Sequence, residues 1–283
     1  MTYYNYGSIV RSRREALGLT QEALALGICS SATLSRIENG TQLPTRSHYD
    51  HLSQRLCLPS GITLFAADNN IVNYINLKEK MKHLLYSDHL EKLPALWNSF
   101  ESLTHSVPTD SLDRQFIDTF FTITHRQSIS TEERLQRYIN ALRITCPYYK
   151  NLLPSVISFD EAIDIIAILL CKYQTKEEAV LPQLIKLLNY FENDLFDFNS
   201  SIHIRLMLAG IVGEICLADK SYDYCLEVCE HYIGVAKENG GYRQICKLLK
   251  IQSLAYERRN RVGDFVKSLD SKFKAIQLEN IIS

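Results

Sequence analysis

The sequence predicts an all-α chain, and three observations carry that prediction. Only 11 glycines and 7 prolines punctuate 283 residues, of which 46% are hydrophobic; that balance favours long helices with well-filled cores. From Asn69 onward no Asn-Gly or Asp-Gly hairpin turn stands between alternating apolar runs, so strand signals are missing. Short polar turns instead recur every 40–47 residues or so, the period of a helical-hairpin array.

At the N-terminus Ile9, Val10, Ala16 and Leu17 recur at helical spacing and predict a supporting first helix. Thr20 reads as an N-cap for a helix over Gln21 to Gly27. Gly27 and the polar pair Ser30 and Ser31 then interrupt the periodicity, which predicts a turn and a second short helix; Ser30 is assigned to capping that helix. Leu34 and Ile37 share its inward face, and Ser31, Ala32, Ser35 and Arg36 lie on the other. Pro44-Thr45 can start a further helix carrying Tyr49, Leu52 and Leu56 inward. Two short helices joined by a tight turn, with small polar residues exposed early in the second, make the sequence picture of a helix-turn-helix.

Charge is uneven along the chain. The whole carries a formal −1, which excludes a general polyanion binder. Residues 1–66 hold six arginines (Arg11, Arg13, Arg14, Arg36, Arg46 and Arg55) against four acids. Three of them cluster in one turn, and Arg36 and Arg46 flank the second helix of the motif, a placement suited to phosphates.

The motif TQxxL from Thr20 to Leu24, followed by SRIENG from Ser35 to Gly40, resembles the Xre/Cro-type repressor family. The connection is one residue shorter than that family's common form, with Ile28-Cys29 where a turn glycine is usual. Together with Pro44 it resembles the DNA-binding domain of the peptide-pheromone receptors of Gram-positive bacteria, the PlcR/Rgg/PrgX (RRNPP) group. The match covers about the first 65 residues. It implies that Ser31, Ala32, Ser35 and Arg36 face base edges. Arg36 would donate to guanine O6 and N7, and the Ala32 methyl would touch a thymine methyl. Thr20, Gln21 and Asn39 would meet phosphates, and Arg14 with Glu38 would form an interior ion pair. A homodimer on a near-palindromic double-stranded site, with half-site centres about 34–36 Å apart or a multiple, is the expected geometry.

Beyond the motif, helices pair across turns at Tyr86-Ser87-Asp88, Arg126-Gln127-Ser128, Tyr173-Gln174-Thr175, Ala218-Asp219-Lys220 and Arg259-Asn260-Arg261. The longest breaks fall near Val107-Pro108-Thr109 and from Cys146 to Pro154. The unit from Ile202 to Lys237, with Gly213, Tyr222 after the turn and Cys225 at a small-residue position, resembles a degenerate tetratricopeptide repeat (TPR). The expected organisation is therefore an N-terminal helix-turn-helix DNA-binding domain over residues 1–66, followed by a TPR-like α-helical hairpin solenoid over residues 67–283.

First helices of stacked hairpins line the concave side of such arrays, a surface that binds extended peptides. Polar residues that break those apolar helices are the candidates for a short signalling peptide: Asp164, Lys172, His203, Arg205, Glu214, Lys247 and Lys250. A solvated surface position is the competing reading for each. Eight cysteines show neither CxxC nor zinc spacing, so no metal or cofactor is expected. No compact acid–base constellation stands out, so no enzyme is expected, although some solenoid relatives are response-regulator phosphatases. The apolar run Ile163–Cys171 is too short for a bilayer and is broken by Asp164, and no signal peptide precedes the first helix, so a cytoplasmic protein without a membrane partner is expected. The leading expectation is a quorum-sensing regulator controlled by a peptide. The alternative makes the solenoid a protein-interaction or dimerisation arm without such a ligand.

Overall fold

The computed structural model describes residues 6–56, 69–106, 111–147, 149, 157–177, 180–192 and 199–282. Among these residues there are fourteen α-helices and no strands. Four short helices come first: α1 (Tyr6–Ala16), α2 (Gln21–Ala25), α3 (Ser31–Glu38) and α4 (Arg46–Arg55). Thr20, Ser30 and Thr45 cap the last three, each side-chain oxygen accepting from the backbone N–H three residues on. Such a cap stabilises a short helix by about 1 kcal/mol.

These helices close over Val10, Leu24, Ala25, Ile28, Leu34, Ile37, Leu52 and Leu56. The inner face of α1 differs from the sequence expectation. Ile9 and Ala16 are exposed, and Tyr6 and Gly7 take the inward positions beside Val10. A Cβ on Gly7 would lie 1.9 Å from the Ile37 carbonyl oxygen, so only glycine lets α1 close on α3. Tyr49 is half-buried and packs against Tyr6, the rings tilted by 34° with centroids 4.5 Å apart.

Ten longer helices follow: α5 (Asn69–Tyr86), α6 (Leu93–Thr104), α7 (Ser111–Thr124), α8 (Thr131–Thr145), α9 (Phe159–Gln174), α10 (Val180–Glu192), α11 (Asn199–Ala218), α12 (Tyr222–Glu238), α13 (Tyr242–Arg259) and α14 (Asp264–Ile282); α7 packs on α8, α11 on α12 and α13 on α14. Each of the five turns expected from sequence falls where one helix of this series gives way to the next. Four of these junctions bend through a non-glycine left-handed residue: Asp88, Lys176, Lys220 and Asn260. Val107-Pro108-Thr109 and most of Cys146–Pro154 lie outside the described residues.

The chain divides into two compact units. The first holds the described residues up to Lys82 and from Leu90 to Val180. Its body is built on an aromatic ladder: Tyr74 stacks on Phe100 at 4.9 Å, Phe100 meets Phe116 at 5.6 Å, and Phe116 stacks on Phe120 at 4.3 Å. Offset and edge-on geometries of this kind add to the burial of large rings. Helix α9 is buried along most of its length and starts from a capping box, Ser158 accepting from the Glu161 amide and Glu161 from the Ser158 amide.

The second unit comprises His83–His89 and the chain from Leu181 onward. There Gly213 admits Ile251 of α13 to within 3.3 Å of where a Cβ would stand, and the Cys225 thiol donates to the Gly213 carbonyl. All seven described cysteines are free thiols.

Candidate functional site

Helix α3 presents the base-reading candidates. Ala32 and Arg36 are exposed, Ser31 and Ser35 half-buried, and Leu34 and Ile37 anchor the opposite face in the core. Asn39 is the exposed C-cap of α3, and Thr20 is the exposed N-cap of α2. Ser30 caps α3, as its position in the sequence suggests.

Behind α3 sits a three-residue network. Arg14 Nε donates to Glu38 Oε1 at 2.6 Å and Nη2 to Oε2 at 3.0 Å, the bidentate fork that matches a carboxylate. Arg14 Nη1 also donates to the Leu19 carbonyl. Gln21 Nε2 donates to Glu38 Oε2 at 2.7 Å, so its side-chain amide is engaged inside the domain rather than turned toward phosphate. Burial alone would raise the Glu38 pKa, but the hydrogen bonds from Arg14 and Gln21 outweigh it and hold the carboxyl below its ordinary range.

The arginine cluster is largely spent on the chain itself. Arg11 pairs with Glu15, Arg13 donates to the Leu56 carbonyl, and Arg46 lies 3.7 Å from Asp50. Arg55 is buried and donates to the Leu24 and Leu26 carbonyls at the end of α2, to Thr145 at the end of α8, and to Glu161. Arg36 is the exposed arginine of this segment whose guanidinium has no ion pair among the described residues.

The turn between α2 and α3 rests on α8. Gly27 has φ +75°, and a Cβ there would lie 1.8 Å from the Thr145 carbonyl oxygen. Ile144 packs against the core of the four short helices. The helix pair is thus fixed from behind by a glycine contact and a buried ion pair. Neither is visible in the sequence, because Arg55 and Glu161 are 106 residues apart.

The peptide candidates divide between the units. In the first, Asp164 is fully buried, accepting from Gln115 Nε2 at 2.8 Å and Thr119 Oγ1 at 2.5 Å. Burial pushes its pKa well above the usual carboxylate range against the lowering effect of those two donors. Lys172 is buried and lies 3.4 Å from Glu177. These two side chains face the interior of their unit.

The second unit brings three of the others together. Lys247 on α13 lies 3.1 Å from Glu214 on α11 and 3.1 Å from Asp88 in the turn after α5. Burial would lower the Lys247 pKa, but Glu214 and Asp88 outweigh it and raise it. His203 stacks on Tyr86 at 6.2 Å and meets His83 edge-on at 6.4 Å. Gln244 donates to the Tyr86 carbonyl. Gly210 admits the Lys247 stem, whose Cε lies 3.2 Å from where a Cβ would stand. Arg205 is half-buried, and Lys250 is exposed and paired with Glu279. Sequence reasoning missed Tyr86, Asp88 and Gln244, which hold this cluster together.

Among the described residues no cluster of histidine, cysteine, aspartate and glutamate could hold a metal ion, and no helix is long and apolar enough to cross a membrane.

Residues 10–53 match the helix-turn-helix family HTH_3. No curated protein matches the chain. Among solved structures the chain is similar to Bacillus thuringiensis PlcR in complex with the peptide PapR7 and DNA, at 15% identity, covering 98% of this chain and 95% of that one with a TM-score of 0.62. It is also similar to the apo form of ComR from S. thermophilus, at 15% identity, 99% and 94% coverage and a TM-score of 0.55. ComR from Streptococcus vestibularis with its cognate signalling peptide XIP follows, at 13% identity, 98% and 92% coverage and a TM-score of 0.51. The capped α2–turn–α3 pair with its exposed polar face is thus an Xre-type helix-turn-helix domain, and the chain is a DNA-binding transcriptional regulator built on the fold of the PlcR and ComR structures.

Proposed function

We propose that this regulator is controlled by a short signalling peptide bound by its helical body. The observation that carries the proposal is the convergence of His203, Glu214 and Lys247 from α11 and α13 with Tyr86 and Asp88. An extended peptide presents backbone donors and acceptors and two charged termini. Glu214 and Asp88 suit its amides or ammonium, Lys247 suits its carbonyls or carboxylate, and the Tyr86–His203 stack offers a flat apolar surface. PlcR and ComR, which share the fold, were solved with peptides bound, and that supports the reading.

On the DNA side Ser31, Ala32, Ser35 and Arg36 read base edges in the major groove, Thr20 and Asn39 lie toward phosphates, and a homodimer spans two half-sites. The peptide acts by favouring one arrangement of the regulator, for which a coupling of about 1–3 kcal/mol suffices.

Fluorescence anisotropy with duplexes from the gene's own promoter region tests both halves. The wild-type chain should bind with steep salt dependence. Arg36→Ala should lose about 1–3 kcal/mol and relax specificity at one base position. Synthetic hydrophobic heptapeptides encoded beside the gene should shift the affinity about 5–150-fold, and Lys247→Ala should remove that response. If calorimetry shows no heptapeptide binding, the body is an interaction arm; if no salt-sensitive DNA binding is seen, the DNA-side reading is overturned.

A further inference from the structure

We infer that Asp164 stands in the folded chain as a neutral carboxylic acid, and that its proton fastens α9 to α7 in a joint that loosens as pH rises.

The first turns of α9 bring three acids into the interior. Asp160 is 6% exposed, and Glu161 and Asp164 are 0% exposed. Cations meet two of them. Lys82 Nζ of α5 lies 2.8 Å from Asp160, and Arg55 of α4 pairs with Glu161. Lys78 also acts on Asp160 but lies 2.9 Å from Asp113. His51 of α4 is neutral at pH 7, because burial pushes its pKa down to about 4. Among the described residues no cation pairs with Asp164.

Asp164 meets neutral groups instead. On α7, Gln115 Nε2 lies 2.8 Å from its Oδ2 and Thr119 Oγ1 lies 2.5 Å from its Oδ1. On α8 the group that acts on it is Tyr138, whose phenol burial keeps protonated. An ionised Asp164 would be a buried charge without a counter-charge, close to two others of its own sign. Such a group takes up a proton rather than bear the desolvation cost. The hydroxyl of Thr119 also lies 2.8 Å from the Gln115 carbonyl. With its one hydrogen on that carbonyl, a proton on Asp164 Oδ1 completes the second contact.

Loss of the proton would set three negative charges within little more than one turn of α9. Two of those acids tie α9 to α4 and α5, so the joint lies on the helix that anchors the helix-turn-helix domain through Arg55.

The test compares urea unfolding of the full chain, wild type and Asp164→Asn, from about pH 4 to about pH 8. Asparagine keeps the shape, accepts from Gln115 and donates to Thr119, but does not titrate. An unfolded aspartate has a pKa of about 3.9. A native acid that titrates above that value contributes stability that is whole below about pH 4 and is lost as pH rises. The unfolding constant of wild type should therefore grow relative to Asp164→Asn by about tenfold per pH unit above 4, until Asp164 ionises in the native state. A ratio that stays flat across the range would overturn the inference. Amide hydrogen exchange at pH 8 places the joint. Wild type should be less protected than Asp164→Asn in α9 and α7 first, and a loss spread evenly over the chain would count against that placing. Should the variant not fold, carbon-13 spectra of the wild-type aspartate carboxyls decide the same point. One carboxyl should remain in the acid form at pH 7, and a full set of ionised carboxylates would sink the assignment.

Discussion

Glu38 is 5% exposed and meets Arg14 in two hydrogen bonds and Gln21 in a third. It sits at the last turn of α3, so the same carboxylate closes the domain and sets the angle of the helix that carries Arg36. Replacing it by alanine leaves a mostly buried guanidinium without its counter-charge, and a broken buried pair costs about 3–5 kcal/mol. Glu38→Ala should therefore lower the unfolding free energy from urea titration by that amount, while Arg36→Ala, two residues away but exposed, should leave it within about 0.5 kcal/mol. Equal midpoints for Glu38→Ala and wild type would show that the pair does not hold the domain. This pair was legible in the sequence because both partners belong to a motif of known spacing. Gln21 was legible as a residue of interest but not in its role, because a glutamine at the start of a helix suits a phosphate and a nearby carboxylate equally.

At the scale of elements, the hairpin turns were readable because polar residues interrupt apolar helices at a regular period. The docking of the helix-turn-helix pair on α8 was not, since it depends on the close approach of Gly27 to a carbonyl 118 positions away in the chain. Gly18 and Gly27 make an internal comparison. Both have positive φ, +66° and +75°, but a Cβ on Gly18 meets nothing within 4 Å and one on Gly27 meets the Thr145 backbone. Gly18→Ala should cost about 1–2 kcal/mol of left-handed strain. Gly27→Ala should cost that plus the separation of α8 from the turn. The difference is read as a larger fall in melting temperature, at about 2–4 °C per kcal/mol or less for a chain of this size. Equal falls would show that the contact with Thr145 is not needed.

At the scale of the molecule, the first unit carries a buried row of charges. Arg55 meets Glu161, and Lys82 meets Asp160 at 2.8 Å with His51 close by. Burial alone would raise both carboxyls. For Glu161 the Arg55 guanidinium and the Ser158 amide outweigh it and hold the pKa at about 2. For Asp160, Lys82, Lys78 and His51 do the same, also to about 2. Carboxyls with depressed native pKa values contribute stability that is present above their unfolded values and lost as pH falls toward 2. At 1.36 kcal/mol per unit, Glu161 contributes about 3 kcal/mol at neutral pH. The urea midpoint should decline steadily from about pH 5 to pH 2. Glu161→Gln should be less stable than wild type by about 3 kcal/mol at pH 7 and converge on it near pH 2. Parallel curves would remove Arg55–Glu161 from the account. Asp164 has the opposite sign: its raised pKa gives a contribution that is lost as pH rises.

The Arg55–Glu161 bond also bears on how such regulators can be recombined. Its cation belongs to the helix-turn-helix segment and its anion to the helical body, so the two form a matched pair. A chimera that grafts this chain's first four helices onto a foreign sensor would inherit a stranded interior positive charge and a gap against Gly27. Transplantation would succeed only where the recipient supplies a carboxylate at the start of the corresponding helix.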